Sequence, residues 1–469
     1  MAELILSCGT DTSDLKTGSP TGTIVGYPSA SIITFSVAQT GNIVVGDRVD
    51  LVGGTTVYLK RKISTTQWEI VYVTGGPVTD NTYTIGSIKR ASNNLKTLIS
   101  GYCTGTSMYG IISSYDLVAL SLKVRIALCK DGAMPDADIS IDGSWNTNAS
   151  YHFEIFSPYN TTTECNTRQR HTYGLKTGAM IAPTGSWSGA GLTIASPYTV
   201  VDGIEIHGNI SYGGDFGVKF RANYVVVKNC IIANIYYPRF ADFDWTANKD
   251  CTLHDCLLVA QTTPGDGRFG MLTFYAYETS DPIYVYNNVI YAKNTGTYPV
   301  RLDANSGSHI VPATFKNNIV LMDAAEVCVY VSGGIPFDPS YLAGYPYGHP
   351  ETPYVNPPLS GYNIVSDAVA FKGSSGTGTQ ISKTNTNIKF KSLTAGSEDF
   401  RLDAGSCALA AGIGPGADTD VSVADIIEAV RKGTTADIGA FEITTHLSII
   451  QRKFINNLNR IGTRQPILG

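Results

Sequence analysis

An all-β chain wound as a right-handed parallel β-helix is predicted by a returning phrase and by the residue at its corner. Between about residues 200 and 365 the sequence reads GIEIHGNI, VVKNCIIA, TLHDCLLV, YVYNNVIY, TFKNNIVL and SGYNIVSD. Each copy has apolar residues on alternate positions, a polar pair, and a second apolar run. The first residues of the pairs are His207, Asn229, Asp255, Asn287, Asn317 and Tyr362, at spacings of 22, 26, 32, 30 and 45. Returns of this kind mark a solenoid. Period-two alternation makes each arm a strand with one buried face. Asn suits the corner because it tolerates left-handed backbone angles and its amide bonds the same position in the next coil. Neighbouring coils then satisfy each other's backbone groups around a narrow shared core. Cys230 and Cys256 follow the corner in successive coils and are expected to stack inside. A β-sandwich or propeller is the competing arrangement, but it has no role for a repeated corner Asn.

Residues 1–87 have a different texture. TGTIVGY, SIITFSV, GDRVDLV, TVYLKRKI, QWEIVYVT and NTYTIGSI are six short alternating runs separated by turn residues, which predicts a small antiparallel barrel or sandwich. Asp47 and Asp50 in GDRVDLV read as turn and surface residues. Residues 88–115 form the next unit, where Ile88, Ala91, Leu95, Leu98 and Ile99 fall at helical spacing. A helix here is positioned to cap the open first coil, whose edge strands are otherwise unpaired.

The β-helix itself is assigned to 116–443. LKVRIALC, SYHFEIFSPY, GAMIAP and GLTIASPYTVVDGIEIHG supply its first coils, and NTTTECNTRQRHTYG is a lateral excursion. The stretch from Gly333 to Pro358, which includes GYPYGHPETPYVNPP, is too rich in proline for a strand and follows an extended path. Its tyrosines, Tyr345 and Tyr347 among them, either pack on the coil wall or meet a glycan.

Near the C-terminus EDFRLDAGSCALAAGIG is followed by ADIGAFE. These segments resemble the closing part of bacterial and phage right-handed parallel β-helix repeat proteins. The matching residues are Asp399 to Leu402, Ser406 to Gly412 and Asp437 to Glu442. The resemblance implies that a DFRL strand leads into a short turn and that the final strand seals the last coil. The front of the chain, with SIKRA after its β-domain, also resembles phage-encoded members of that group. Tailspike-like relatives imply a homo-oligomer, a trimer being their habit. Two departures follow. VSVADIIEAVRKG is inserted with helical spacing, and residues 444–469 add an amphipathic helix and tail. In that helix Leu447, Ile450, Phe454, Leu458 and Ile461 form one apolar stripe opposite Arg452, Lys453 and Arg460. The stripe is expected to dock on a partner subunit or to pack back on the coils.

Composition narrows the function classes. Only 16% of residues are charged, against 48 Gly and 27 Tyr, which suits a β-protein presenting hydroxyls and amides. A net charge of −5 without a basic stripe argues against nucleic acid as a partner. No signal peptide is recognisable in MAELILSCGTDTSD, and no apolar run reaches the length of a membrane span. Nine cysteines without CxxC pairs predict free buried thiols and synthesis in a cytoplasm.

The best candidate for chemistry is ADFDWTANKD. Asp242 and Asp244 are two apart and share a strand face beside Trp245, a ring suited to stacking on a sugar. Two carboxylates so placed suit acid/base glycoside cleavage when roughly 5–10 Å apart. With Asn248 and Asp250 they equally suit calcium, although the spacing is not that of an EF-hand. Ordinary loop hydrogen bonding is the third reading. Elsewhere, Asp202 and Glu205 flank a corner with His207, Asp266 and Arg268 lie in a turn, and His254 precedes Asp255 without a nucleophile nearby. Arg301 and Asp303 alternate and are placed to form an exposed ion pair. No nucleophile elbow, HExxH, Walker loop or zinc spacing occurs, and no cofactor or metal is expected. The combined expectation is a virion protein of a phage, structural or facing a receptor or glycan, of tail spike, fibre or capsid-decoration type. A polysaccharide depolymerase, hydrolase or lyase, on the same fold is the alternative. A bacterial adhesin is disfavoured, since neither a secretion signal nor an anchor is evident.

Overall fold

The computed structural model describes residues 2–27, 30–72, 77–103, 115–136, 138–172, 174–183, 190–208, 216–233, 239–243, 250–260, 270–276, 283–292, 298–304, 313–322, 329–332, 364–365, 388–394, 397–413, 425, 431, 435–437 and 439–440. The fold is all-β, with three parallel sheets and a closed six-stranded barrel.

The three sheets are visited in rotation. A strand of the first sheet (Val226–Lys228) leads to one of the second (Ile231–Ala233) and then one of the third (Arg239–Phe243), after which Cys251–His254 returns to the first. Each strand pairs in parallel with its counterpart one circuit later, as in Val226 with Thr252, Ile231 with Leu257 and Lys219 with Asp242. Strands of three or four residues persist because both edges find partners. Alternation sends Ile126, Ile155, Val201, Val227 and Leu253 inward from the first sheet, Ile181, Ile206, Ile232 and Leu258 from the second, and Leu192, Val218, Ala241 and Leu272 from the third. Phe220 and Phe243 stack in this core with centroids 4.2 Å apart. Each such Val, Leu, Ile or Phe contributes about 1.5–3 kcal/mol by leaving water.

The corner between the first and second sheets is left-handed at Asn229, Asp255, Asn287 and Asn317, with φ from 52° to 57°, as expected. The expected register is wrong for the first copy. Asp202 pairs with Lys228 and Glu205 with Ile231, so Gly203 (φ 75°) holds the corner and His207 lies in the following strand opposite Ala233. Glycine is required there because a Cβ would strike the Arg170 guanidinium. Two hydrogen-bond ladders climb the corner. Asn317 Nδ2 donates to Asn287 Oδ1 (3.0 Å) and Asn229 Nδ2 to Asp202 Oδ1 (2.8 Å). One residue further, Asn288 Nδ2 donates to Asn318 Oδ1 (3.0 Å) and the Cys256 amide to Asn288 Oδ1 (2.9 Å). Cys230 and Cys256 occupy this inner row in the two preceding circuits, fully buried.

The barrel comprises Thr21–Tyr27, Ala30–Phe35, Arg48–Leu51, Thr55–Lys62, Gln67–Val71 and Asn81–Lys89. It does not begin the chain. Ala2–Cys8 pairs in parallel with Leu122–Leu128 and is the first strand of the first sheet, so the barrel is inserted within the opening circuit. Its core includes Trp68, Leu59 and Ile70 and extends to Ile5, Ala127 and Phe156 on the outer face of the first sheet. Asp47 is no surface residue. It is fully buried and accepts from Arg90 Nη1 at 2.8 Å, while Arg90 Nε donates to Asp131 at 2.6 Å. This pair of bridges joins barrel to sheet.

The helix spans Leu95–Cys103, starting later than its apolar spacing suggests, because Ile88 belongs to the last barrel strand. Asn94 caps it, its Oδ1 accepting from the Thr97 amide at 2.6 Å, and Asp136 accepts from the Leu95 amide at 2.8 Å. Leu95, Leu98 and Ile99 pack in the cluster that holds Ile139 and Ile141, the first strand of the third sheet. That edge is thereby covered.

The closing motif is placed differently from the expectation. Asp399–Leu402 pairs antiparallel with Phe390–Ser392, and Gly412–Ile413 with Thr435–Ala436. Phe400, Leu402, Ala408 and Ala440 cover the outer face of the second sheet, against Ile231, Leu257, Val259, Val289, Tyr291 and Ile319. The described part of the motif is a lateral layer across several circuits, because the outward positions of that sheet are apolar and require burial.

Candidate functional site

Asp242 lies in the third-sheet strand Arg239–Phe243, between Lys219 and Thr273 in register. The same register line runs from Ser140 through Thr193, Lys219, Asp242 and Thr273 to Arg301 and Tyr330. It alternates with the inward line of Leu192, Val218, Ala241 and Leu272. Lys219 and Arg301 thus share a row with Asp242, one and two circuits away at about 4.8 Å per circuit. Asp303, two residues after Arg301, pairs with Tyr275 instead. Thr273 is fully buried, so the sheet is covered at that level. The side chain of Asp242, and Asp244, Trp245, Asn248, Asp266, Arg268, Tyr345, Tyr347, Tyr362, Leu447, Ile450, Phe454, Leu458 and Ile461 entirely, lie outside the described residues. Asp250 turns the chain back to the first sheet with φ 53°.

The titratable groups that the structure does bring together are buried. At the first corner Arg170 Nη2 lies 2.8 Å from Asp202 Oδ1, and Lys228 Nζ 3.4 Å from Oδ2. Burial pushes the Asp202 carboxyl up, but Arg170 and Lys228 outweigh it and hold it below its usual value. Glu205 accepts from the amides of Lys176 (2.6 Å), Thr177 (2.8 Å) and Gly178 (2.5 Å), and its Oε2 lies 2.7 Å from His207 Nε2. Against the cost of burial, the hydrogen bond to His207 and those from the backbone amides hold its carboxyl below the usual value. His171 is held neutral by burial, which lowers its pKa to about 4, and its Nε2 lies 2.6 Å from the Asn229 carbonyl. The arrangement clamps the excursion 158–178 to the corner. Its carboxylates are saturated with donors and enclosed, so they neither give nor take protons from a substrate.

A second buried pair joins residues 176 positions apart. Arg431 Nη2 donates to Asp255 Oδ1 at 2.7 Å and to the Gly439 carbonyl at 2.8 Å, while Asp255 Oδ2 lies 2.6 Å from His254 Nδ1. Desolvation raises the Asp255 carboxyl, but Arg431 and His254 bring it below the usual range. His254 stacks on Tyr286 with centroids 4.8 Å apart. Sequence reasoning saw His254 beside Asp255 and missed Arg431, whose burial within VSVADIIEAVRKG shows only after folding. Among the described residues no group of His, Cys, Asp and Glu is suited to hold a metal. Cys8, Cys129, Cys165, Cys230, Cys251, Cys256 and Cys407 are in no disulfide, and no described helix is long and apolar enough to cross a membrane. No protein-family model and no curated protein matches the chain.

Proposed function

We propose that the chain is a phage virion component, a right-handed parallel β-helix of spike or fibre type that faces a host-surface glycan. One observation carries this reading: barrel and rod share one core and the buried Arg90 bridges. A head so fused to an elongated stack suits an appendage that transmits load. The low charge and the abundance of Tyr support a glycan as the outward partner, and assembly as a trimer belongs to the same proposal. Lys219, Asp242 and Arg301 on one register line of the third sheet favour depolymerase activity as the second reading. The test combines immunogold labelling of purified particles with incubation of the protein on host polysaccharide. Labelled particles without released oligosaccharide support the adhesive component. Released reducing ends that vanish in the Asp242→Asn/Asp244→Asn double variant establish the depolymerase. Particles free of label overturn the virion assignment.

A further inference from the structure

The corner between the third and first sheets is built from unusual residues. Tyr198 (φ 57°), Tyr224 (φ 60°) and Asp250 (φ 53°) are left-handed in three successive circuits. Their equivalence follows from the pairing of Val200 with Val226 and of Val226 with Thr252. Left-handed angles are unfavourable for a bulky side chain. The opposite corner of the same circuits meets the same demand with Gly203, Asn229 and Asp255, residue types that adopt these angles readily. Two tyrosines therefore stand where glycine or asparagine satisfies the backbone better. Core packing does not account for them, because both remain partly exposed. Their rings stack on each other, with centroids 4.6 Å apart and planes within 9°.

We propose that Tyr198 and Tyr224 form a carbohydrate-binding ledge, at a corner distinct from the Asp242 row. The proposal rests on the glycan-facing reading above and gives it a location. Each ring spends one face on the other, and no other described ring stacks on either. Both tyrosines are partly exposed, and the exposed parts of their rings are placed to meet a sugar's C–H surface and its hydroxyls. The residues just before Tyr224 are polar: Arg221 is exposed and Asn223 partly so. The large exposed aliphatic residues Val25, Val37, Val52, Ile63 and Leu120 all lie elsewhere. An aromatic pair beside an amide and a cation fits a saccharide, which offers a C–H face to a ring and hydroxyls to polar groups. Backbone strain retained at an exposed aromatic pair is the expected mark of a selected binding feature.

The test uses the full chain and short chito-, malto- and galacturonide oligosaccharides together with host polysaccharide, read by calorimetry and by saturation-transfer NMR. Tyr198→Asn/Tyr224→Asn keeps residues that tolerate the angles, so the melting temperature should hold or rise while affinity falls about tenfold or more. Tyr198→Phe/Tyr224→Phe keeps the rings and should retain most of the affinity. Unchanged affinity in the Asn pair overturns the ledge, as does a native chain that binds no member of the panel. Particle labelling is scored separately. A chain absent from particles that still binds through these tyrosines overturns the virion assignment and leaves the ledge in place. A labelled particle whose glycan binding ignores them does the reverse.

Discussion

Asp255 occupies a corner that its neighbours fill with asparagine, and a single buried arginine explains the difference. Both members of the Arg431–Asp255 pair are fully enclosed, so removing one leaves an uncompensated charge. Arg431→Ala is expected to destabilise the fold by about 3–5 kcal/mol. Adding Asp255→Asn should recover much of that loss, because Asn suits the corner ladder; a double-mutant cycle in denaturant measures the coupling, and additive losses would refute it. His171 sets a different signature. The unfolded ring gains a proton near pH 6.5 and the folded ring only near its pKa of about 4. Its contribution is therefore complete above pH 6.5 and drains as pH falls toward 4, by up to roughly 3 kcal/mol. Asp202, Glu205 and Asp255, all lowered in the fold, add further loss as pH falls through their ordinary values, from 4.5 for Glu205 and 3.8 for the two aspartates, toward their lower folded values. Urea melts of His171→Gln between pH 4 and 7 should show a shallower pH slope; burial lowers His152 as well, so some slope persists. An unchanged slope would remove His171 as the cause.

The corner ladders behave as elements, since each rung closes bonds for the next. Asn288 accepts from the Cys256 amide and donates to Asn318 Oδ1 and to the Leu253 carbonyl. Asn288→Ala leaves buried groups unpaired and should cost about 1–3 kcal/mol, measured as a shift in denaturation midpoint at constant slope. The polar pair at the turn was readable in advance because a left-handed, inward-facing position admits few residue types. The register of the first copy was not. GIEIHGNI offers Glu205, His207 and Asn209 as polar candidates, and only the crossing Arg170 explains why Gly203 takes the turn and His207 the strand. The helix start shows the same limit: Ile88 fits a helical stripe, yet pairing with Val49 places it in the barrel.

Across the whole molecule the C-terminal layer and the final tail should separate in their effects. Truncation before residue 388 uncovers Ile231, Leu257, Val259, Val289 and Ile319, and an aggregated product is expected. Truncation before Leu447 should leave a soluble, folded chain that no longer enters particles if the tail docks a partner. Light scattering and particle incorporation read the two outcomes, and full incorporation of the shorter tail variant would exclude the docking role.

Local pattern and distant contact divide the information. Strand periodicity, the left-handed corner and the six barrel runs are imposed by nearest neighbours and by sterics within a few residues, so they were plain in the amino-acid order. Insertion of the barrel after Ala2–Cys8, burial of Asp47 by Arg90, the lateral course of the closing motif and the placing of Lys219 beside Asp242 were not. Each depends on which segments meet after long loops close, and that choice is made by the shared burial of apolar faces and by pairing of charges too costly to enclose alone.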